Sequence, residues 1–184
     1  NIIVEGQLII EGTENAPVQI IPHASIGENR WGSICINNGS ESSNISHLEL
    51  SGASRGANPM IHKGAISSIN SDIVLNNLEI NDVLFPIYVE GGTVILNNSS
   101  ISCDYISDYI NVKDGDAIIE NCVFFGSDAD DTDAIDFDNV TNGVIRNNRI
   151  YNFTGSNSDG IDIGERSQEI LISSNLIYHI EDKG

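Results

Sequence analysis

The chain carries a short pattern that returns along most of its length. The pattern is an apolar residue, two mostly polar ones, two variable ones, then another apolar residue. It reads "ISHLEL" (45–50), "LNNLEI" (75–80), "LNNSSI" (96–101), "IENCVF" (119–124), "IRNNRI" (145–150) and "ISSNLI" (172–177), with starts 30, 21, 23, 26 and 27 residues apart. A second pattern precedes each copy: "ICI" at Ile34, "ISS" at Ile66, "IYV" at Ile87, "INV" at Ile110, "IDF" at Ile135 and "IDI" at Ile161. Its steps are 32, 21, 23, 25 and 26 residues. Alternation with period two predicts strands, not helices. Gly91-Gly92, Asp114-Gly115 and Asn142-Gly143 mark turns between them. Two or three short strands per step of this length make one coil of a parallel β-helix, a solenoid in which each coil buries its apolar positions against its neighbours. The expected fold is all-β, about seven coils of 21–32 residues in one domain over residues 1–184. Residues 1–40 form a less regular opening coil and 41–184 the regular ones.

The asparagine pairs fit this reading. Asn76-Asn77, Asn97-Asn98 and Asn147-Asn148 fall where the chain must turn a corner. Asparagine tolerates the left-handed backbone needed there, and its amide can bond to the next coil. Trp31 is expected to cover the end of the first coil, and Tyr105, Tyr109, Tyr151 and Tyr178 to pack at strand ends or loops. At the other end "DKG" (182–184) aligns with "SDG" (158–160), and no further isoleucine follows. Together with the absence of an initiator Met and of a signal segment, this suggests a piece of a longer β-helix. Such a piece invites end-to-end self-association through its open coil ends.

Charge narrows the partners. The chain has 27 acidic and 8 basic side chains, net −19. That surface repels nucleic acid and anionic lipid, and no apolar run is long enough to insert in a membrane as a helix. The acids are interleaved with Ile and Val, so they belong to a folded chain rather than an acidic tail. Cys35, Cys103 and Cys122 lack metal-site spacing. They read as small half-buried residues, with a Cys103–Cys122 pairing left open.

Aligning the coils on the second pattern predicts which side chains stack. One place after its Ile come Cys35, Ser67, Tyr88, Asn111, Asp136 and Asp162, all facing outward on one sheet. Two places before it come Asp108, Asp133 and Asp159, then Lys183; three places after it come Glu90, Lys113, Asp138 and Gly164. Lys113 would therefore pair with Glu90 and Asp138. Asp136 over Asp162 is a repulsive pair: two carboxylates about 5 Å apart cost roughly 3 kcal/mol at an effective dielectric near 20. Asp138 adds a third charge, and the loop "GSDADDTD" (126–133) adds Asp128, Asp130 and Asp131. Solvation and splay, a bound Ca²⁺ held by Asp136, Asp138 and Asp162, or a shared proton can each relieve the crowding. The loop lacks the glycine and glutamate of an EF-hand. Tyr88, with Asn111, Asp136 and Asp162 beside it, is the expected sugar-contacting patch.

"LIIEGTENAPVQI…RWGSICI" and "DAIDFDNVTNGVIRNNRIYNFTGSNSDGIDIG…ILISSNLIYHIEDKG" resemble secreted bacterial right-handed parallel β-helix proteins of the pectate-lyase-like superfamily. The nearest likeness is to β-helix regions of large surface proteins, some with spore-coat-H-like regions. The resemblance implies a right-handed coil and a secreted or cell-surface setting. It says less about activity, because this scaffold hosts enzymes, adhesins and stalks alike. "NSDGID" (157–162) is similar to the "NTDGxD" motif of polygalacturonases, which places Asp159 and Asp162 as candidate acids. The family's following "DD" pair falls on Asp182-Lys183, so its second Asp has become Lys, and no "GHG" or "RxK" follows. A polysaccharide lyase would need a basic column, and Arg146, Arg149 and Arg166 form none. The expected function is an extracellular module, structural or in contact with a polysaccharide or cell-surface glycan, with a Ca²⁺ site and no catalysis of its own. The alternative is a carbohydrate-active hydrolase or lyase that uses Asp159, Asp162 and Asp182.

Overall fold

A computed structural model describes residues 1–24 and 30–183. Among them strands are the only regular elements, and every pair between named strands is parallel. Seven strands form one sheet in the order Ile2–Val4, Ile34–Asn37, Ile66–Ile69, Ile87–Glu90, Ile110–Lys113, Ile135–Asp138 and Ile161–Ile163. Twelve more form a second, bent sheet that closes the rest of each coil. This is a parallel β-helix. Consecutive rungs of one sheet are one whole coil apart in sequence, which only a solenoid produces.

The register is the one the two patterns predict. Cys35, Ser67, Tyr88, Asn111, Asp136 and Asp162 pair Cα to Cα in a single column. Their neighbours Ile34, Ile66, Ile87, Ile110 and Ile135 point inward and are at most 1 % exposed. Each such isoleucine contributes about 1.5–3 kcal/mol by burial. A slip of one residue would exchange these two columns, so the apolar stack fixes the register. The opening coil keeps the same pairing: Ile2–Val4 lies against Ile34–Ile36, Ile9–Glu11 against Asn44–Ser46, and Val18–Ile20 against Leu48–Leu50.

Corners are made by residues with left-handed backbone. His47, Asn77, Asn98, Asn121, Asn147 and Ser174 stack at one corner with φ between 49° and 57°. The asparagine pairs are not equivalent, however. In 76–77 and 97–98 the second residue turns the corner. In 147–148 the first does, and Asn148 enters the interior, 2 % exposed. There its Oδ1 accepts the Cys122 N–H at 2.9 Å and its amide donates to the Ile119 carbonyl at 2.9 Å. Leu78, Ser99 and Cys122 take the same inward place on other coils, so this column changes from apolar to polar along the axis. At another corner Gly91 and Gly92 have φ of 70° and 85°, and a Cβ on Gly92 would stand 2.5 Å from the Ser71 carbonyl oxygen. Only glycine fits there. All three cysteines are free and buried, so Cys103 and Cys122 do not pair. Trp31 is half-buried against the core and donates its indole N–H to the Ser51 carbonyl at 2.7 Å.

Candidate functional site

One outward column of the seven-stranded sheet meets two different environments. Over its first half the segment 52–64 folds across the sheet. Tyr88 is only 3 % exposed beneath it and packs with Cys35, Ile69, Ile61 and Phe85. Its hydroxyl donates to Glu90 at 2.5 Å and accepts from Lys63 at 2.7 Å. Burial, with the Glu90 carboxylate, pushes its ionisation far upward. The expectation of a sugar platform at Tyr88 is therefore overturned, because the ring has no free face. Asn111 is also covered, 7 % exposed, with its amide given to the Asp136 carboxylate. Glu90 is engaged by Tyr88, and Lys113 forms no ion pair with Glu90 or Asp138 among the described residues.

Past the edge of that segment the same face is acidic and open. The column two places before each strand forms a continuous chain of hydrogen bonds. Asp108 Oδ1 accepts the Asp133 N–H at 3.4 Å, Asp133 Oδ1 the Asp159 N–H at 2.7 Å, and Asp159 Oδ1 the Lys183 N–H at 2.8 Å. Each aspartate spends one oxygen on the next coil's backbone, and Asp159 gives its second oxygen to Lys183 Nζ at 3.3 Å. That geometry brings Asp133 and Asp159 toward Asp162, with one ligand oxygen of each within 4.8 Å of the others. The expected metal set is corrected accordingly. Asp162 belongs to the close group, but Asp136 and Asp138 do not, and Asp133 and Asp159 take their places. The Asp159 N–H on Asp133 Oδ1 ties those two residues together across coils, whereas Asp136 lies within the strand Ile135–Asp138 and takes the Asn111 amide.

The electrostatics follow from crowding in a partly dry place. Burial raises Asp108 to about 6, offset by the Asp133 N–H and reinforced by Asp131, Asp138 and Asp162. Burial likewise raises Asp133 to about 7, with Asp108, Asp159 and Asp162 adding repulsion. Asp136 also reaches about 7, through burial and then the charges of Asp108 and Asp138. These carboxyls take up and release protons near neutral pH. Asp108, Asp131, Asp133 and Asp136 line a cleft of about 350 Å³ together with Arg55, Phe85, Ile106 and Ser107.

The other expected acids separate. Asp182 lies outside the group, 3.4 Å from Lys183 Nζ, and Lys183 also reaches Asp159 at 3.3 Å. Gly184, which would complete the coil alignment, lies outside the described residues. From the loop "GSDADDTD" Asp131 and Asp133 reach the cleft, and Asp128 and Asp130 do not line it. Asp130 accepts the Ser156 N–H at 2.8 Å, and Asp131 also holds the Asn157 amide at 2.7 Å. The opening of "NSDGIDIG" is thus pinned by the loop of the previous coil. Tyr151 and Tyr178 lie within strands rather than at strand ends. Their rings stack 5.1 Å apart at 8°, Phe125 lies 5.2 Å further along, and the Arg149 guanidinium is 4.6 Å from the Tyr151 ring centre. The register alone could have found this aromatic ladder, since Phe125, Tyr151 and Tyr178 share one outward column.

Comparison with protein-family models, with curated proteins and with solved structures finds no match for this chain.

Proposed function

We propose that this chain is an extracellular parallel β-helix module whose acidic face binds Ca²⁺ and, through the ion, a carbohydrate, without catalysing a reaction of its own. The observation that supports this most is the convergence of Asp133, Asp159 and Asp162 within 4.8 Å. Three carboxylate oxygens suit a hard cation that takes six to eight oxygen ligands. They leave several positions for water or sugar hydroxyls, which is how a fixed ion recruits a glycan. The net charge of −19 favours a cation as the bridge and disfavours direct contact with a polyanion. The extracellular setting rests on the resemblance to secreted bacterial β-helix proteins.

Calorimetric titration of chelator-treated protein with Ca²⁺ at pH 7.5 tests the reading. Saturable binding that Asp159→Asn/Asp162→Asn abolishes is expected. An unchanged isotherm in that double variant would sink it.

One observation favours a second reading. Carboxyls raised to about 7 in a cleft that Phe85 and Ile106 also line are suited to donating a proton at neutral pH. In that case the face belongs to a carbohydrate-active enzyme. Hydrolysis or eliminative cleavage of a polysaccharide panel, lost on Asp136→Asn with the fold intact, is the result that would replace the first reading with this one.

A further inference from the structure

A second face of the solenoid has the makings of a binding groove, on the bent twelve-stranded sheet rather than on the acidic one. It runs along the corner column His47, Asn77, Asn98 and Asn121. Two hollows of about 700 and 800 Å³ adjoin this column, and both reach Thr13, His47 and Asn98. The first coil closes one end with a wall. Thr13 and Ala16 exchange backbone hydrogen bonds of 3.1 Å in both directions, which makes the projecting turn a closed and ordered one. Gly12 seats this wall directly on the corner. Its N–H donates to the Ser46 carbonyl at 2.9 Å, and a Cβ there would be 2.4 Å from the His47 carbonyl oxygen.

The lining selects a ligand class by exclusion. Among the described residues neither hollow is lined by a lysine or arginine, while Glu11, Glu14, Glu49 and Glu79 are present. Phosphate, nucleic acid and uronate polymers are therefore repelled. Among the described residues no Phe, Tyr or Trp lines either hollow, so an apolar peptide finds no large ring to anchor on. What repeats is hydrogen-bonding capacity, both donor and acceptor. Asn98 donates to Asn76 Oδ1 at 3.0 Å and keeps its own Oδ1 open, and among the described residues the side-chain amides of Asn97 and Asn121 bond to no protein group. The rungs recur every ~4.8 Å along the axis. Two rungs match the repeat of an extended, β-linked disaccharide.

We infer that this corner groove binds an extended neutral oligosaccharide lying along the solenoid axis, at a site separate from the acidic face. Each amide meets ring hydroxyls as donor and acceptor, Glu79 accepts from a hydroxyl, and the Thr13–Ala16 turn stops the chain at one end. The binding needs no cation.

The test uses the whole chain in chelator-containing buffer. It is titrated by calorimetry and NMR with β-1,4-linked hexasaccharides of glucose, xylose, mannose and N-acetylglucosamine, and with hexagalacturonate as the anionic probe. Saturable binding of at least one neutral hexasaccharide, and none of hexagalacturonate, is expected. Asn98→Gly/Asn121→Gly keeps the left-handed backbone and removes two amides, so affinity should fall by about tenfold or more. Ser100→Trp is at an exposed outward position and fills the groove without touching the core, so it should abolish binding. The inference fails if no neutral hexasaccharide binds, or if both variants bind like the wild type. It also fails if binding needs Ca²⁺ and disappears in Asp159→Asn/Asp162→Asn. That last result would move the ligand to the acidic face and support the function proposed above.

Discussion

The column that runs Cys35, Ser67, Tyr88, Asn111, Asp136, Asp162 is one backbone feature with two fates. Its first four members are buried, Cys35 and Ser67 fully and Tyr88 and Asn111 at 3 % and 7 % exposure. Its last two face an acidic cleft and its neighbouring carboxylates. The strand pairing is identical in both halves. Over Cys35, Ser67 and Tyr88 the difference comes from segment 52–64, which the long step between Ile34 and Ile66 supplies and the later, shorter steps do not. In a solenoid the column fixes where a side chain stands, and the loops decide whether it packs or reacts. The same carboxylate would be intolerable under the strap, while Tyr88 on the open half would be a surface ring.

The largest effect separates the halves directly. Tyr88→Ala removes a buried ring from the covered half, and a cost of about 3–5 kcal/mol is expected. For a chain of this size each kcal/mol lowers Tm by about 2–4 °C. Asp162→Asn, in the same column on the open half, removes charge repulsion and no packing. Its Tm in metal-free buffer at pH 8 is expected to equal or exceed the wild type. Thermal melts of the two variants side by side check the contrast, and a Tyr88→Ala melt no lower than wild type would contradict the burial of the strap.

The next effect is specific to the open half and concerns protons. Asp133 and Asp136 sit at about 7 and Asp108 at about 6, against about 3.9 in an unfolded chain. Their native pKa values are raised, so the folded state binds more protons than the unfolded one between these limits. The stability this brings is complete below about pH 4. It is lost as pH rises through 6 to 7. Metal-free protein should therefore melt higher at pH 5 than at pH 8, and Asp136→Asn should flatten that slope. A profile that rises with pH over the same range would show that the carboxyls are not crowded.

Ca²⁺ should then reverse the slope. A cation held by Asp133, Asp159 and Asp162 competes with the proton, so binding weakens as pH falls. The rise in Tm caused by millimolar Ca²⁺ is expected to be larger at pH 7.5 than at pH 5. At a hundredfold excess over Kd the stabilisation is about 2.7 kcal/mol. An equal shift at both pH values would place the ion elsewhere on the −19 surface.

Most of the backbone was legible in the sequence. Two repeated patterns gave the coil, the register and the acidic columns, because inward Ile at a fixed step leaves one arrangement that buries them all. The covering of Tyr88 was not legible, since residues 52–64 carry no periodicity that would fold them over the sheet. The close acidic group was half legible. Asp159 and Asp162 stood out as a motif and the columns set Asp133 beside Asp159, but they do not reveal the Asp159 N–H on Asp133 Oδ1 or the approach of all three carboxylates. Asn148 shows the same limit: "NN" reads alike at 76, 97 and 147, and only the position of the corner decides which amide turns inward.

The smallest effect lies away from both halves, on the aromatic ladder. Arg149 lies over Tyr151 and bonds the Tyr178 hydroxyl through Nε and Nη2, at an exposed position where water competes for every donor. Arg149→Ala should lower Tm slightly, far less than Tyr88→Ala. Tyr178→Phe keeps the ring stack, 5.1 Å from Tyr151, and removes only the hydroxyl. If the ladder is held by stacking, the double variant loses little more than Arg149→Ala alone. Thermal melts of the four proteins in the cycle measure that coupling, which is small when water replaces both partners. A coupling as large as the Tyr88→Ala loss would mean that the ladder, like the strap, covers something that must stay dry.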